Sequence, residues 1–202
     1  MPGISPSEQT VAAYLQSLRL TPERFSKHET RKSQTPDFRV LQGGALVFFC
    51  EVKNAQEDRW LDEQGKDAEP GTLYGGSRHD PVYNRVANYI HKAAGQFAAV
   101  NPDGTLPNVL AVVNEDGMAG FPDLRSVLTG NFYPENGPPD PIFRDISEGR
   151  IREDRFRIDL YLWFDAGRST PHMVFTQANP AHNAALCRYF GVGPEQIKQF
   201  AR

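Results

Sequence analysis

"TPDFRVLQGGALVFFCEVKN", residues 35–54, decides how the rest of the chain is read. Residues 38–41 and 45–52 are rich in Val, Phe and Leu, and Gly43-Gly44 between them has the chemistry of a tight hairpin turn. Charges bracket this apolar run, with Asp37 at its start and Glu51 and Lys53 at its end. Charged groups beside a core cost free energy unless they are paired, solvated or bound to a metal. Either these three sit at wet strand ends in a solvated ion pair, or they converge on something.

Register decides between the two. Side chains two apart on a strand share a face, so Glu51 and Lys53 point the same way. A strict two-residue turn at Gly43-Gly44 sets Asp37 opposite Cys50 and turns Glu51 away. A three-residue turn or a bulge sets Asp37 opposite Glu51, and the two glycines make either easy. In that second register two carboxylates and an ammonium meet at the edge of an apolar sheet. Adjacent carboxylates repel, and one tends to keep its proton. A divalent cation removes the conflict, and hard oxygen ligands suit Mg²⁺ or Mn²⁺. Such an ion accepts phosphate oxygens and lowers the pKa of a bound water, while a neighbouring ammonium orients that water or offsets developing charge.

Outward from the hairpin, residues 7–19 have helix spacing, with Val11, Tyr14, Leu15 and Leu18 on one face and Ser7 as N-cap. "TPERF" at 21–25 opens a second short turn. Residues 55–80 form a long polar excursion with a short helix around "EDRWLDE". Asp80-Pro81 starts a helix that runs to about residue 100. "NVLAVV" at 108–113 is a buried strand, and "FPDLRSVLTG" is a short helix ended by Gly130. "PENGPPDP" is a loop too rich in proline to enter a sheet ladder. Residues 158–164 alternate, with Ile158, Leu160, Leu162 and Phe164 on one face and Arg157, Asp159, Tyr161 and Trp163 on the other, which is either a second covered face of the sheet or a partner-binding surface, core being the safer reading. Residues 173–176 supply a partner strand, and a helix over 180–190 closes the chain with Gly191 past its end. This order predicts a single α/β domain over 1–202, with a core spanning roughly 7–176 and a mixed central β-sheet flanked by helices.

The 202 residues carry a net charge of -3, so nucleic-acid binding would need a local positive patch. Arg24, Lys27, His28, Arg31 and Lys32, immediately before Asp37, supply one that steers a phosphate backbone if it is more than solvated surface. The first residues lack the layout of a signal peptide, and no run approaches the roughly 20 apolar residues of a membrane span. Cys50 and Cys187 have neither metal nor disulfide spacing and read as core residues, which makes a reducing cytoplasm the expected location. Five scattered histidines give no zinc pair, and His182 in "HNAALC" is the single candidate for a histidine-based nuclease. There is no nucleophile elbow and no phosphate-binding glycine loop with a lysine.

Pro36-Asp37, a hairpin, then Glu51-Val52-Lys53 resembles the signature of the PD-(D/E)XK nuclease superfamily, whose fold is restriction-endonuclease-like. The resemblance covers roughly residues 23–113 in element order. Each half alone is common: Pro-Asp recurs at Pro102-Asp103, Pro122-Asp123 and Pro139-Asp140, whereas Glu-x-Lys occurs only here. Context singles the pair out, because the halves lie on consecutive strands at the end where they can meet. The resemblance implies that Asp37 and Glu51 hold Mg²⁺ or Mn²⁺ and that Lys53 assists the attacking water. It implies a Gln or Lys from the following helix near the metal. There Asn84, Asn88, Lys92 and Gln96 form a polar stripe, with His91 beside them. "KAAGQF" points to Gln96, then Lys92, unless the stripe is only the solvent face of an amphipathic helix. Some members add a Glu from the N-terminal helix. Glu8, Glu23 and Glu29 compete for that role, and Glu29 lies nearest to Asp37 in sequence.

The expectation is a nuclease acting on DNA more readily than RNA, with Asp37, Glu51, Lys53 and Gln96 catalytic and Asp37, Glu51 and Glu29 as metal ligands. Arg31, Lys32, Lys92 and Arg78 would bind nucleic acid, with Tyr74 and His79 near Arg78 in the same excursion. A homodimer stays open, and no membrane partner is expected. The alternative is a nuclease-like fold that binds nucleic acid or a protein partner without hydrolysis.

Overall fold

The computed structural model describes residues 4–55, 82–117, 119–142, 147–176 and 178–197. Arg78, Tyr74, His79, the helix expected around "EDRWLDE" and the Asp80-Pro81 helix start lie outside them.

The architecture is α/β, with a mixed six-stranded sheet between two helical layers. Helix α1 (Pro6–Ser17) precedes strand β1 (Thr21–Arg24), helix α2 (Lys27–Lys32) and the hairpin of β2 (Phe38–Gln42) and β3 (Ala45–Ala55). Helix α3 (Val82–Val100) leads to β4 (Asn108–Asn114) and α4 (Phe121–Thr129). Short strands β5 (Asn131–Phe132) and β6 (Asp140–Pro141) pair with each other, 3-10 turns at Glu148–Ile151 and Asp154–Arg157 follow, and β7 (Leu160–Phe164), β8 (His172–Phe175) and α5 (Pro180–Phe190) complete the order. The main sheet runs β1-β2-β3-β4-β7-β8; β3, β4 and β7 are parallel neighbours and the remaining pairs are antiparallel.

Alternation along the strands makes two cores. Val11 and Leu15 of α1 and Leu186, Cys187 and Phe190 of α5 cover one face, against Phe38, Val40, Phe48, Cys50, Val52, Leu160, Leu162 and Phe164. Val86, Ile90, Ala93 and Phe97 of α3 and Leu124 and Val127 of α4 cover the other, against Phe49, Leu110, Val112, Tyr161 and Trp163. Each fully buried large side chain contributes roughly 1.5–3 kcal/mol. Tyr161 and Trp163 are therefore core, as their alternation implies, whereas Ile158 precedes β7 and packs on the face opposite Leu160.

Three local readings need correction. The first helix is capped by Ser5, not Ser7: the Ser5 hydroxyl accepts from the Glu8 N–H at 3.2 Å, and the Glu8 carboxylate accepts from the Ser5 N–H at 2.6 Å. The segment at Thr21 is an edge strand paired with β2, because its residues 21–24 lie alongside the hairpin. Asp140 and Pro141 do enter a ladder, although only a two-residue one whose edge needs no proline N–H. Among the described residues no helix is long and apolar enough to cross a membrane.

Candidate active site

The hairpin reaches its register by two devices. Gly43 and Gly44, with φ of 59° and 84°, make a two-residue turn that pairs Gln42 with Ala45 and Leu41 with Leu46. Val40 then pairs with Phe48, so Val47 is an extra residue on β3. Val47 and Phe48 both pack on the α1–α5 face, which breaks the alternation once. The bulge moves every later residue of β3 to the opposite face from the one a regular strand would give. Glu51 and Lys53 therefore share the α3 face with Phe49, and Phe38 pairs with Cys50, which sets Asp37 beside Glu51.

Strand β3 also outruns β2. Beyond Cys50 it pairs with β4 alone, as far as Ala55. The chain entering β2 fills the notch. The Val52 N–H donates to Asp37 Oδ2 at 2.8 Å, and the Asp37 N–H donates to Glu51 Oε2 at 3.1 Å. The two acidic residues are cross-tied through each other's backbone.

Lys53 and Gln96 complete the group. Lys53 Nζ lies 2.5 Å from Glu51 Oε1 and donates to Gln96 Oε1 at 3.1 Å. Gln96 Nε2 donates to the Thr35 carbonyl at 3.0 Å, which fastens the segment leading into Asp37 to α3. The four residues named from sequence are thus brought together from β3, α3 and the approach to β2.

Asp37, Lys53 and Gln96 face a cleft of about 440 Å³ whose lining also includes Arg24, Phe25, Thr35 and Lys92, while Glu51 lies buried behind them. Arg31 and Lys32 are exposed on α2 and stay out of that lining, although their neighbours Thr30 and Ser33 belong to it. Phe25 had no signal in the sequence. It stacks on Phe49 at 6.3 Å and lies under the Arg39 guanidinium, which stands 4.1 Å from its ring centroid.

Glu29 is not brought to the carboxylates. Its side chain caps α2 through Ser26 and pairs with Arg39, and the Ser26 hydrogen bonds followed by Arg39 pull its carboxyl down to about 2. The N-terminal acid whose charge acts on Asp37 is Glu8, held by its capping box and by Arg24 at 3.1 Å. His182 is likewise committed elsewhere, with Nδ1 3.0 Å from the buried Asp159, whose other oxygen accepts from the Asn108 N–H.

Burial sets the electrostatics. Glu51 is 2% exposed, and desolvation followed by the Asp37 charge raises its carboxyl to about 7, against the pull of Lys53 and Gln96. Burial also raises Asp37, with Glu8 adding to the rise and the Val52 N–H opposing it. The side chains of Asp37 and Glu51 lie within hydrogen-bonding reach, and burial pushes both carboxyls towards the protonated form.

This donor set fits a hard divalent cation: two carboxylates whose charges resist being buried together, with no histidine or cysteine among the described residues that line the cleft. Among the described residues no group of three or more His, Cys, Asp or Glu side chains converges for a metal. An ion here would have two protein carboxylates and keep several waters, a habit of Mg²⁺ and Mn²⁺ and not of zinc. No protein-family model, curated protein or solved structure matches the chain.

Proposed function

We propose that the chain is a metal-dependent phosphodiesterase that hydrolyses nucleic-acid backbone, DNA more readily than RNA, on a restriction-endonuclease-like fold. The observation that carries this reading is the meeting of Asp37, Glu51, Lys53 and Gln96 at the bulged hairpin, beside a cleft lined by Arg24 and Lys92.

Asp37 and Glu51 would hold Mg²⁺ or Mn²⁺, which when bound supplies Lewis acidity and a water of lowered pKa. The chain's own groups do the rest. Lys53 keeps an ammonium against Glu51 and offers its remaining N–H donors to the attacking water or to a phosphate oxygen. Gln96 holds Lys53 by its carbonyl and the Thr35 segment by its amide, so one side chain fixes both the cation and the approach to Asp37. Arg24 and Lys92 attract the phosphates flanking the scissile one.

The test is digestion of plasmid and single-stranded DNA with Mn²⁺ and with chelator. Cleavage is expected only with the metal. Asp37→Ala and Glu51→Ala should abolish it while leaving the far-UV spectrum unchanged, and Lys53→Ala should lower the rate by about 10²–10³. Cleavage by Lys53→Ala at the wild-type rate removes the role given to that lysine. DNA retention without cleavage in any metal would instead favour the binding module.

A further inference from the structure

Between the small β5–β6 sheet and β7, residues 148–157 read "EGRIREDRFR". This segment places an aromatic ring in water. Phe156 is 53% exposed, one of only three exposed large hydrophobics among the described residues, while Ile151 and Ile158 on either side of it are fully buried. The buried isoleucines anchor the segment, so the exposed ring stands on a fixed base. The Arg155 guanidinium lies 4.7 Å from the ring centroid and pairs with Glu148 at 3.3 Å.

The segment carries four arginines against three acids. Arg150, Arg152 and Arg157 are exposed and make no ion pair among the described residues. Asp154 contacts His91 of α3 at 2.8 Å, and Glu153 is the exposed acid of the segment. In a chain of net charge -3, three uncommitted arginines within eight residues are a local cationic patch. The His91–Asp154 contact also gives the patch its place. It lies against α3 one residue from Lys92, which lines the cleft.

From this arrangement we infer that residues 150–157 form a platform for single-stranded nucleic acid, on which Phe156 stacks an unpaired base and Arg150, Arg152 and Arg157 neutralise its phosphates. The occupant is a single strand because a ring with Arg155 over one side can stack on its other side only a base whose own face is open, and bases in a duplex already cover one another. The inference rests on the nucleic-acid reading of the cleft and extends it: the strand held at the platform continues past α3 from the strand being cut. A substrate with an unpaired stretch would then be preferred over a continuous duplex.

Fluorescence anisotropy with labelled oligo(dT) of about 20 nucleotides, in chelator so that nothing is cut, tests the platform. Phe156→Ala should weaken binding about 5- to 50-fold, Phe156→Trp should restore it, and a hairpin duplex should bind all three within about twofold. The double variant Arg150→Ala/Arg152→Ala should reduce the salt slope by about 1.4. Oligo(dT) binding by Phe156→Ala at wild-type affinity overturns the platform, as does equal weakening for oligo(dT) and duplex. A trinucleotide cut with Mn²⁺ separates the two readings. A protein that cuts the trinucleotide but whose oligo(dT) affinity does not change with Phe156→Ala keeps the hydrolytic reading and loses the platform. If no substrate is cut in any metal while Phe156-dependent binding persists, the hydrolytic reading falls and the platform stands.

Discussion

Lys53 stands between two acceptors of different kinds, a carboxylate 2.5 Å away and a neutral amide 3.1 Å away. That arrangement keeps the ammonium beside Glu51 even though burial and Asp37 work against the Glu51 charge. The conflict has a thermodynamic signature. An acid whose folded pKa is raised binds more protons folded than unfolded, so stability falls as pH climbs from the ordinary value of 4.5 towards about 7. Glu51→Gln cannot ionise and escapes that loss. Urea unfolding at about pH 5 and about pH 8 should show the variant gaining on wild type by on the order of 1–3 kcal/mol between them. A gap that stays constant with pH would mean that Glu51 titrates normally. The meeting of Asp37, Glu51 and Lys53 was readable because residue type, spacing and order converge on one end of a hairpin. The part played by Glu8 was not. Proximity in sequence favours Glu29, but Arg39 and Ser26 claim its carboxylate, whereas the "SPSE" capping box tethers Glu8 on a helix that the topology lays near Asp37.

At the hairpin the turn and the bulge act jointly. The turn alone would leave Asp37 facing Cys50, and one additional residue, Val47, converts that mismatch into a site. The composition of the stretch permits a bulge without locating it, since Leu46, Val47 and Phe48 are all apolar and either face has a core to receive them. Gly43 and Gly44 were identifiable by type, and their positive φ values explain the need for them. Gly44→Val, with φ of 84° and nothing within 4 Å of a new Cβ, should cost about 1–2 kcal/mol through backbone strain alone. The shift in denaturation midpoint measures it, and Gly43→Asn should cost less because Asn tolerates that conformation. β1 and α2 were harder to read. Each is short, and "TPERF" has too little alternation to announce a strand whose existence depends on the neighbour it pairs with.

Among the described residues the sheet has two covered faces, and Glu51, Lys53 and Gln96 meet on the α3 side. The layering followed from element order and from continuous apolar strands such as 108–113, which only burial on both sides explains. Residues 148–157 carry no periodic pattern, so their 3-10 turns and the exposed ring appear only in three dimensions. If Asp37 and Glu51 are pulled together only at the cost of a trapped proton, a divalent ion should stabilise the folded chain as a whole. At about 100 times its dissociation constant, Mn²⁺ adds about 2.7 kcal/mol, which for a chain of this size raises the melting temperature by about 5–10 °C. Asp37→Asn should lose that increment, and an undiminished shift in the variant would place the ion elsewhere. The opposite face has its own use. Cys50 of β3 and Cys187 of α5, both free thiols, belong to the core on the α1–α5 face, and burial pushes the Cys50 thiol well above its ordinary value. A maleimide reagent should reach either sulfur only when that layer lifts, so the alkylation rate is a clock for the opening of the α1–α5 side of the sheet.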